Sequence, residues 1–331
     1  MIADLSLAND FGQILDAFWR GSLGTSSALF SGTLVRAIPL TIVGVGVSLA
    51  FRAGVFNIGG EGQLLLGAVA ATVVGLLLPN KVGAAGIILT LSAGALAGAA
   101  WAGIAAVLRN RFGVLEVIST IMLNFVAANL VSYLVRGPLQ EPTHTYPQTD
   151  LISAAARLPR LWSETRLHAG ILIAICLSIA SWWFLTRTAA GFRVRAVGAS
   201  PSAAGISGLV DASSVTARAL LVSGALAGLA GSIEVTGVTY ALYENLSPGY
   251  GFSAIAVAVL ARLHPLAVLG TALLIATLET GALGMQRDAG VPSVVASVLE
   301  AMAILVVIGI GGRTGASWRW RKRRAHAGAE A

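Results

Sequence analysis

The chain has 331 residues, of which 56% are hydrophobic and only 11% charged, and its mean hydropathy is +0.81. Soluble domains carry about a quarter charged residues, so an ordinary globular protein is excluded and a single-domain polytopic membrane protein is indicated. A net charge of +7 would suggest nucleic acid in a soluble protein, but here arginines in loops and at the C-terminus explain it, as the positive-inside rule expects.

Residues 1–32 are polar and mixed, with neither the basic start nor the apolar core of a cleavable signal. The first apolar segment, 37–51, stops at Arg52. A glycine-rich break, AGVFNIGGEGQ, separates it from a second at 64–78, which ends at Pro79-Asn80-Lys81. A third, 83–108, runs into Arg109 and Arg111, and a fourth, 114–135, leads into a long polar segment, 136–168. A fifth, 169–186, delivers the chain to a basic loop, and a sixth, 219–238, follows that loop. The short run 252–260, then 266–285 and 291–310, complete the set. Several approach the ~20 residues that span hydrocarbon. Their apolar runs are continuous, so helices are expected rather than barrel strands. The expected fold is all-α: an integral membrane helical bundle of about 8–10 transmembrane segments, with re-entrant or half helices where the pattern breaks. Small-residue faces such as Gly94-Ala-Leu-Ala-Gly98 and Gly224-Ala-Leu-Ala-Gly228 are suited to close helix packing.

Orientation follows from arginine. With the basic loop inside, alternation puts Arg52, Arg109, Arg111, Arg262 and the tail from Arg313 to Arg324 inside as well. Lys81, 136–168, 240–250 and Arg287 then fall outside. Counting the short run gives nine passes, with the N-terminus outside and the C-terminus inside. The break at 54–62 falls on the inner side and a second, NLSPGYG at 245–251, on the outer side. Interruptions at opposite faces suggest inverted repeats around a central pathway; two tight loops are the alternative.

The basic loop, 187–208, holds Arg187, Arg193 and Arg195, with no acid until Asp211. Ser200 can cap a helix that begins at Pro201, where the missing N–H costs nothing. The helix that follows is short, small-residued and almost chargeless, which suits a docking surface for a motor.

No phosphate-binding loop accompanies either lysine, Lys81 or Lys322, so nucleotide hydrolysis by that route is not expected of this chain. The four histidines are scattered, with no H-E-x-x-H, and the single cysteine, Cys176, rules out an internal disulfide and a multi-cysteine metal site. No catalytic residue, cofactor or metal is assigned. The remaining candidates are polar groups within spans, which are costly and usually functional. They are Asn57, Glu61 and Gln63 at the first break, Glu116, Asn124 and Asn129 on the fourth span, Glu234, Glu279 and Glu300. One reading is a pathway for a hydrophilic solute; the other is interhelical hydrogen bonding, with Asn57, Glu61 and Gln63 stapling the turn. A proton-coupled carrier would pair such acids with a mid-membrane base, and the arginines and lysines fall at span ends. The tail WRWRKRRAH reads as a snorkelling anchor on inner-leaflet lipid rather than a nucleic-acid site.

Three stretches carry a family resemblance. Phe56-Asn57-Ile58-Gly59-Gly60-Glu61-Gly62-Gln63 resembles the FNIG-x-EGQ signature of permeases of bacterial ABC importers, in the branched-chain amino acid, ribose and simple-sugar superfamily. The likeness is greatest to its nucleoside-uptake branch. Gly191-Phe192-Arg193-Val194-Arg195-Ala196-Val197-Gly198, with Pro201, Ala203 and Ala204, is similar to the family's cytoplasmic loop. Gly249-Tyr250-Gly251-Phe252 through His264-Pro265-Leu266 resembles a third family stretch. The resemblance implies a permease subunit in the bacterial inner membrane that moves a nucleoside or similar small polar solute inward. Sugars or branched-chain amino acids are the alternative within the class, and an ion-gradient-driven secondary transporter is the alternative outside it. It implies as partners a second permease, identical or different, two ATPase subunits that bind ATP and Mg, and an external solute-binding lipoprotein. Gly191, Arg193, Arg195, Gly198, Ser200, Pro201, Ala203 and Ala204 would form the ATPase-coupling element. Asn57, Glu61, Gln63, Asn124, Glu234 and Glu279 are the expected pathway residues. The domain plan is an external segment at 1–32, a permease domain at 33–312 with its coupling loop at 187–218, and a basic cytoplasmic tail at 313–331. Ser200 stands where the family usually has Asn, and Gly205 where a basic residue is common. The N-terminal span of many members is not expected within 1–32.

Overall fold

The computed structural model describes residues 7–206 and 211–292, with 294, 298, 301 and 302. The expected segment at 291–310, Glu300 and the basic tail lie outside them apart from those few positions. Helix α1 (Leu7–Ser22) precedes a π-helical turn (Ala28–Thr33) that runs straight into α2 (Leu34–Arg52). Turn and helix make one apolar element, Ala28–Arg52, longer than the expected 37–51. The polar Thr33 and Arg36 masked its first turns in the sequence. Thr33 is fully buried, and Arg36 lies within electrostatic range of Glu234.

Helices α3 (Gly60–Leu77), α4 (Ala84–Phe112), α5 (Glu116–Arg136) and α6 (Gly170–Arg187) follow. Then come α7 (Ala189–Ala199), α8 (Pro201–Ile206) and α9 (Ala212–Glu234), which continues through a second π-helical turn (Val235–Thr239). Helices α10 (Tyr250–Leu260) and α11 (Pro265–Ala289) complete the described elements. Among the described residues seven helices are long and apolar enough to cross a membrane, and the only strand-like pairing is two isolated bridges. The fold is the expected all-α polytopic bundle.

The chain separates into two compact units, one at 25–276 and the other drawn from 1–24 and 277–331. In the smaller, Gly21 of α1 faces Gly284 of α11, and the Phe18 ring lies over Gly281. In the larger, α9 is the central element and packs on α2, α3 and α4. The closest approach uses the two GALAG runs against each other. A methyl group on Gly98 would collide with the Gly224 carbonyl, and one on Gly228 with the Gly94 carbonyl. Gly67 of α3 meets Gly228 in the same way, and Gly231 meets the Leu64 carbonyl. In lipid, where apolar surface alone does not drive helices together, such backbone proximity supplies the van der Waals contact that does.

One end of the larger unit is rich in arginine. Arg109, Pro201 and Ala212 surround one cavity there, Arg52 lies near Arg195, and the Arg52 Nε–H donates to the Leu263 carbonyl at 2.7 Å. The other end is covered by the long polar loop. Thr149, Ile152 and Leu158 donate their N–H groups to the carbonyls of Leu242, Tyr240 and Thr236 at 2.8–2.9 Å. The loop thereby satisfies backbone acceptors just past α9 that no helix can.

The loop also seals His168, which is 1% exposed. Its Nδ1 accepts from the Gly170 N–H at 3.1 Å, which places the proton on Nε2, a buried atom with no hydrogen-bond partner. Burial first, and the Arg166 charge second, hold the imidazole neutral and lower its pKa to about 4.

Candidate functional site

The first break is built by side chains that close on their own backbone. After Arg52 the chain leaves helical geometry until Gly60. The Asn57 amide exchanges two hydrogen bonds with the Gln63 amide, at 2.8 and 2.9 Å, and accepts from the Gly59 N–H at 3.0 Å. Asn57 Nδ2 also reaches Ser223 Oγ at 2.9 Å. Ser223 lies about 16 Å along α9 from its start, at 1.5 Å per residue, so the break turns deep inside the bundle. Asn57 is 0% and Gln63 1% exposed. Asn57 and Gln63 thus make the hydrogen bonds that staple the turn.

Asn124 of α5 holds the break from the other side: its Oδ1 accepts from the Gly62 N–H at 2.8 Å and its Nδ2 donates to the Ile58 carbonyl at 2.9 Å. Glu61 reaches in a third direction. Its Oε2 accepts from the Gly251 N–H at 2.7 Å and its carboxylate bonds the Ser247 side chain. Ser247 Oγ in turn accepts from the N–H groups of Gly249 and Tyr250, capping α10. A methyl group on Gly251 would collide with the Glu61 backbone, so the N-termini of α3 and α10 meet.

The breaks start from opposite ends, the first after Arg52 at the arginine-rich end and the second from the loop end, and their inner ends meet. Both descend to the same depth inside the larger unit. Helix α10, with 11 residues, covers about 16 Å, half of a ~30 Å hydrocarbon layer. The pass is therefore composite: an extended stretch from the loop end, then a half helix to the arginine-rich end. Two helix N-termini directed at one point concentrate partial positive charge there, and the Glu61 carboxylate answers it.

A cavity of about 460 Å³ opens beside this junction, lined by Glu61, Asn124, Phe125, Asn129, Ser132, Glu244, Asn245, Ser247 and Phe252 among others. Glu244 is fixed by Arg136 at 2.5 Å and by the Ser132 hydroxyl at 2.7 Å, and these bonds hold its carboxyl below the usual carboxylate range. Phe125 is 61% and Phe252 48% exposed. The cavity thus presents carboxylates, amides and hydroxyls together with two aromatic side chains.

The expected pathway residues divide accordingly. Glu61 and Asn124 line the cavity, whereas Asn57 and Gln63 sit behind it. Glu234 lies near the loop end, close to Arg36, Arg166 and Tyr243. Glu279 is half-buried on α11 in the smaller unit. Glu116 pairs with Arg109 at 3.3 Å. Ser132, Glu244, Asn245 and Ser247 were not singled out from the sequence. The interruption NLSPGYG before an apolar run too short to cross was the signal for the last two.

At the arginine-rich end, Thr188 caps α7 through the Gly191 N–H at 3.0 Å, and Ser200 caps α8 through the Ala203 N–H at 3.3 Å. Gly191 packs on the Phe184 and Leu185 backbone and Gly198 on the Arg52 carbonyl, so these two glycines seat α7 on the bundle. Phe192, Arg193, Arg195, Pro201 and Ala203 are exposed, and Ala204 is half-buried. The structure therefore presents a short capped helix and two arginines outward. Residues 207–210 lie outside the described part.

The family model for the permease component of the branched-chain amino acid transport system matches residues 29–308. The chain belongs to this permease family. The permease is 38% identical over 296 residues to the glucose ABC transporter permease protein TsgB13 of Haloferax volcanii, covering 86% of this chain and 77% of that one. It is 37% identical over 314 residues to the guanosine ABC transporter permease protein NupP of Bacillus subtilis, covering 93% and 87%. It is 31% identical over 301 residues to the nucleoside ABC transporter permease protein NupB of Lactococcus lactis, covering 86% and 80%. Bacillus and Haloferax each hold a second, 28% identical permease protein whose name carries the same solute. No solved structure is significantly similar to the permease. It is a multi-pass membrane transport subunit.

Proposed function

We propose that this permease moves a nucleoside or a similar small polar solute inward across the bacterial inner membrane, paired with a second permease and driven by two ATPase subunits. The carrying observation is the polar cavity at the α3–α10 junction, open at membrane depth. Lipid cannot satisfy its carboxylates and amides, so protein or water must cover them, and a second permease subunit placed against α5 and α10 would enclose a pathway. Phe125 and Phe252 in the cavity lining suit a nucleobase, while Glu61, Asn124 and Asn245 suit ribose hydroxyls. The names of two of the relatives support a nucleoside and that of a third a sugar.

The arginine-rich end faces the cytoplasm in this reading, in line with the positive-inside rule. The C-terminus lies on that side too. The ATPases bind ATP and Mg and engage α8 together with Arg195. This chain supplies the path and the lever and has no cofactor of its own. An external lipoprotein delivers the solute to the loop end.

The test is uptake of labelled guanosine and glucose, with ATPase stimulation, in cells carrying the chain and its partner subunits. Guanosine uptake that Arg195→Glu and Pro201→Asp abolish, without loss of the chain from the membrane, is expected. Normal uptake in both variants would remove the coupling role, and uptake of glucose alone would move the solute to the sugar class.

A further inference from the structure

A second cavity, of about 360 Å³, lies at the arginine-rich end, separate from the polar one. Helices α6 and α9 both rest on α2 and on α7, so α2 backs and α7 floors the cleft they frame. Each side is a helical stripe. On α9 the lining runs Arg218, Val222, Leu226, and on α6 it runs Leu177, Ser181, Phe184. Residues at such spacing stack on one helix face. Apart from Ser181 the stripes are apolar until the arginine-rich end, where Arg218 and Arg193 of α7 enter the lining. Both arginines are exposed, and neither has an ion pair among the described residues. No acid lines the cavity. Asp211 is within electrostatic range of Arg218, but its oxygens already accept from the N–H groups of Ser213 and Ser214 and from the Ser214 hydroxyl.

Two guanidinium groups at the shallow end of an apolar cleft between membrane helices fit an amphiphile with an anionic head and an acyl tail. We propose that the cleft seats an anionic phospholipid, its phosphate between Arg193 and Arg218 and one acyl chain along Val222 and Leu177. Basic pockets between transmembrane helices on the inner side recognise such head groups, and arginine is suited to hold phosphate with paired donors. A soluble anion would leave the apolar stripes uncovered. An apolar helix of a second subunit would bury both guanidinium groups without a counter-charge. A lipid here ties α7, and through Ser200 the helix α8, to the leaflet. Arg193 then belongs to the membrane side of the coupling element and Arg195 to its other side.

The experiment is native mass spectrometry of the full chain, purified with its partner subunits, titrated with dioleoyl phosphatidylglycerol and with dioleoyl phosphatidylcholine. A preference for phosphatidylglycerol is expected, falling roughly tenfold or more in Arg193→Gln/Arg218→Gln. Val222→Trp, which fills the tail cleft without touching charge, is expected to release the retained lipid. Arg111→Gln, at the same end but outside the lining, is expected to change nothing. Equal loss in Arg111→Gln, or an unchanged preference in the double variant, would overturn the site in favour of diffuse surface charge. Displacement by glycerol 3-phosphate would make it a free-anion site. A photo-crosslinker at Val222 that captures a second permease chain instead of lipid would overturn it as well.

Discussion

The junction of α3 with α10 and the α7–α8 element put their polar residues to opposite uses. At the junction Asn57 and Gln63, behind the cavity, direct their hydrogen bonds at each other, at the Gly59 N–H and at Ser223, and both are buried. In α7 and α8 the side chains of Thr188 and Ser200 cap the helix starts, while Arg193, Arg195 and Pro201 face outward. A polar group whose partners lie in its own chain specifies the fold. One whose partners are missing from the chain marks a surface. The first kind should therefore fail as stability and the second as transport.

The strongest way to break this contrast is at the interior glycines. Gly231→Val would drive a side chain into the Leu64 carbonyl, between backbones that cannot give way, and is expected to abolish a monodisperse peak in fluorescence-detected size exclusion. Next is His168, a buried side chain at the loop end whose Nε2 has no hydrogen-bond partner among the described residues. Its folded pKa of about 4 lies below the ordinary value of 6.5. Its contribution is fully present above pH 6.5 and is lost as the pH falls from there through 4. The loss approaches roughly 3 kcal/mol, readable as a lower thermal midpoint at pH 4.5 than at pH 7.5. His168→Phe should flatten that slope.

Asn57→Ala leaves Gln63, Ser223 and the Gly59 N–H short of a buried partner and is expected to cost about 1–3 kcal/mol by thermal unfolding in detergent. Ser200→Ala removes only a cap, worth about 1 kcal/mol locally, and should show as faster hydrogen exchange in α8. Arg195→Glu should cost the least stability, no more than about 0.5 kcal/mol by thermal unfolding, while uptake collapses. A large stability loss in that variant would erase the contrast between the two regions.

Much of this was legible in the sequence. The apolar runs gave the helices that cross, because a continuous run must bury its backbone in helix wherever it lies in lipid. Arginine placement gave the alternation of ends. The Ser200-Pro201 pair gave the start of α8, since capping is local chemistry between neighbours. The two GALAG runs were visible as packing faces. The first span was misjudged at its start because Thr33 and Arg36 read as surface residues.

What the sequence by itself determined is therefore what acts within a few residues or along one helix: span existence, caps, breaks and the sign of charge at each end. Only the tertiary structure decided that the two breaks meet, that Glu61 bonds a backbone group 190 residues away, and that Ser132, Glu244 and Ser247 join Asn124 around one cavity. It also decided that the GALAG runs pack on each other. The reason is physical. A hydrogen bond or a backbone contact across the bundle depends on helix depth and rotation, and those are set by packing against neighbours that no single stretch of chain contains.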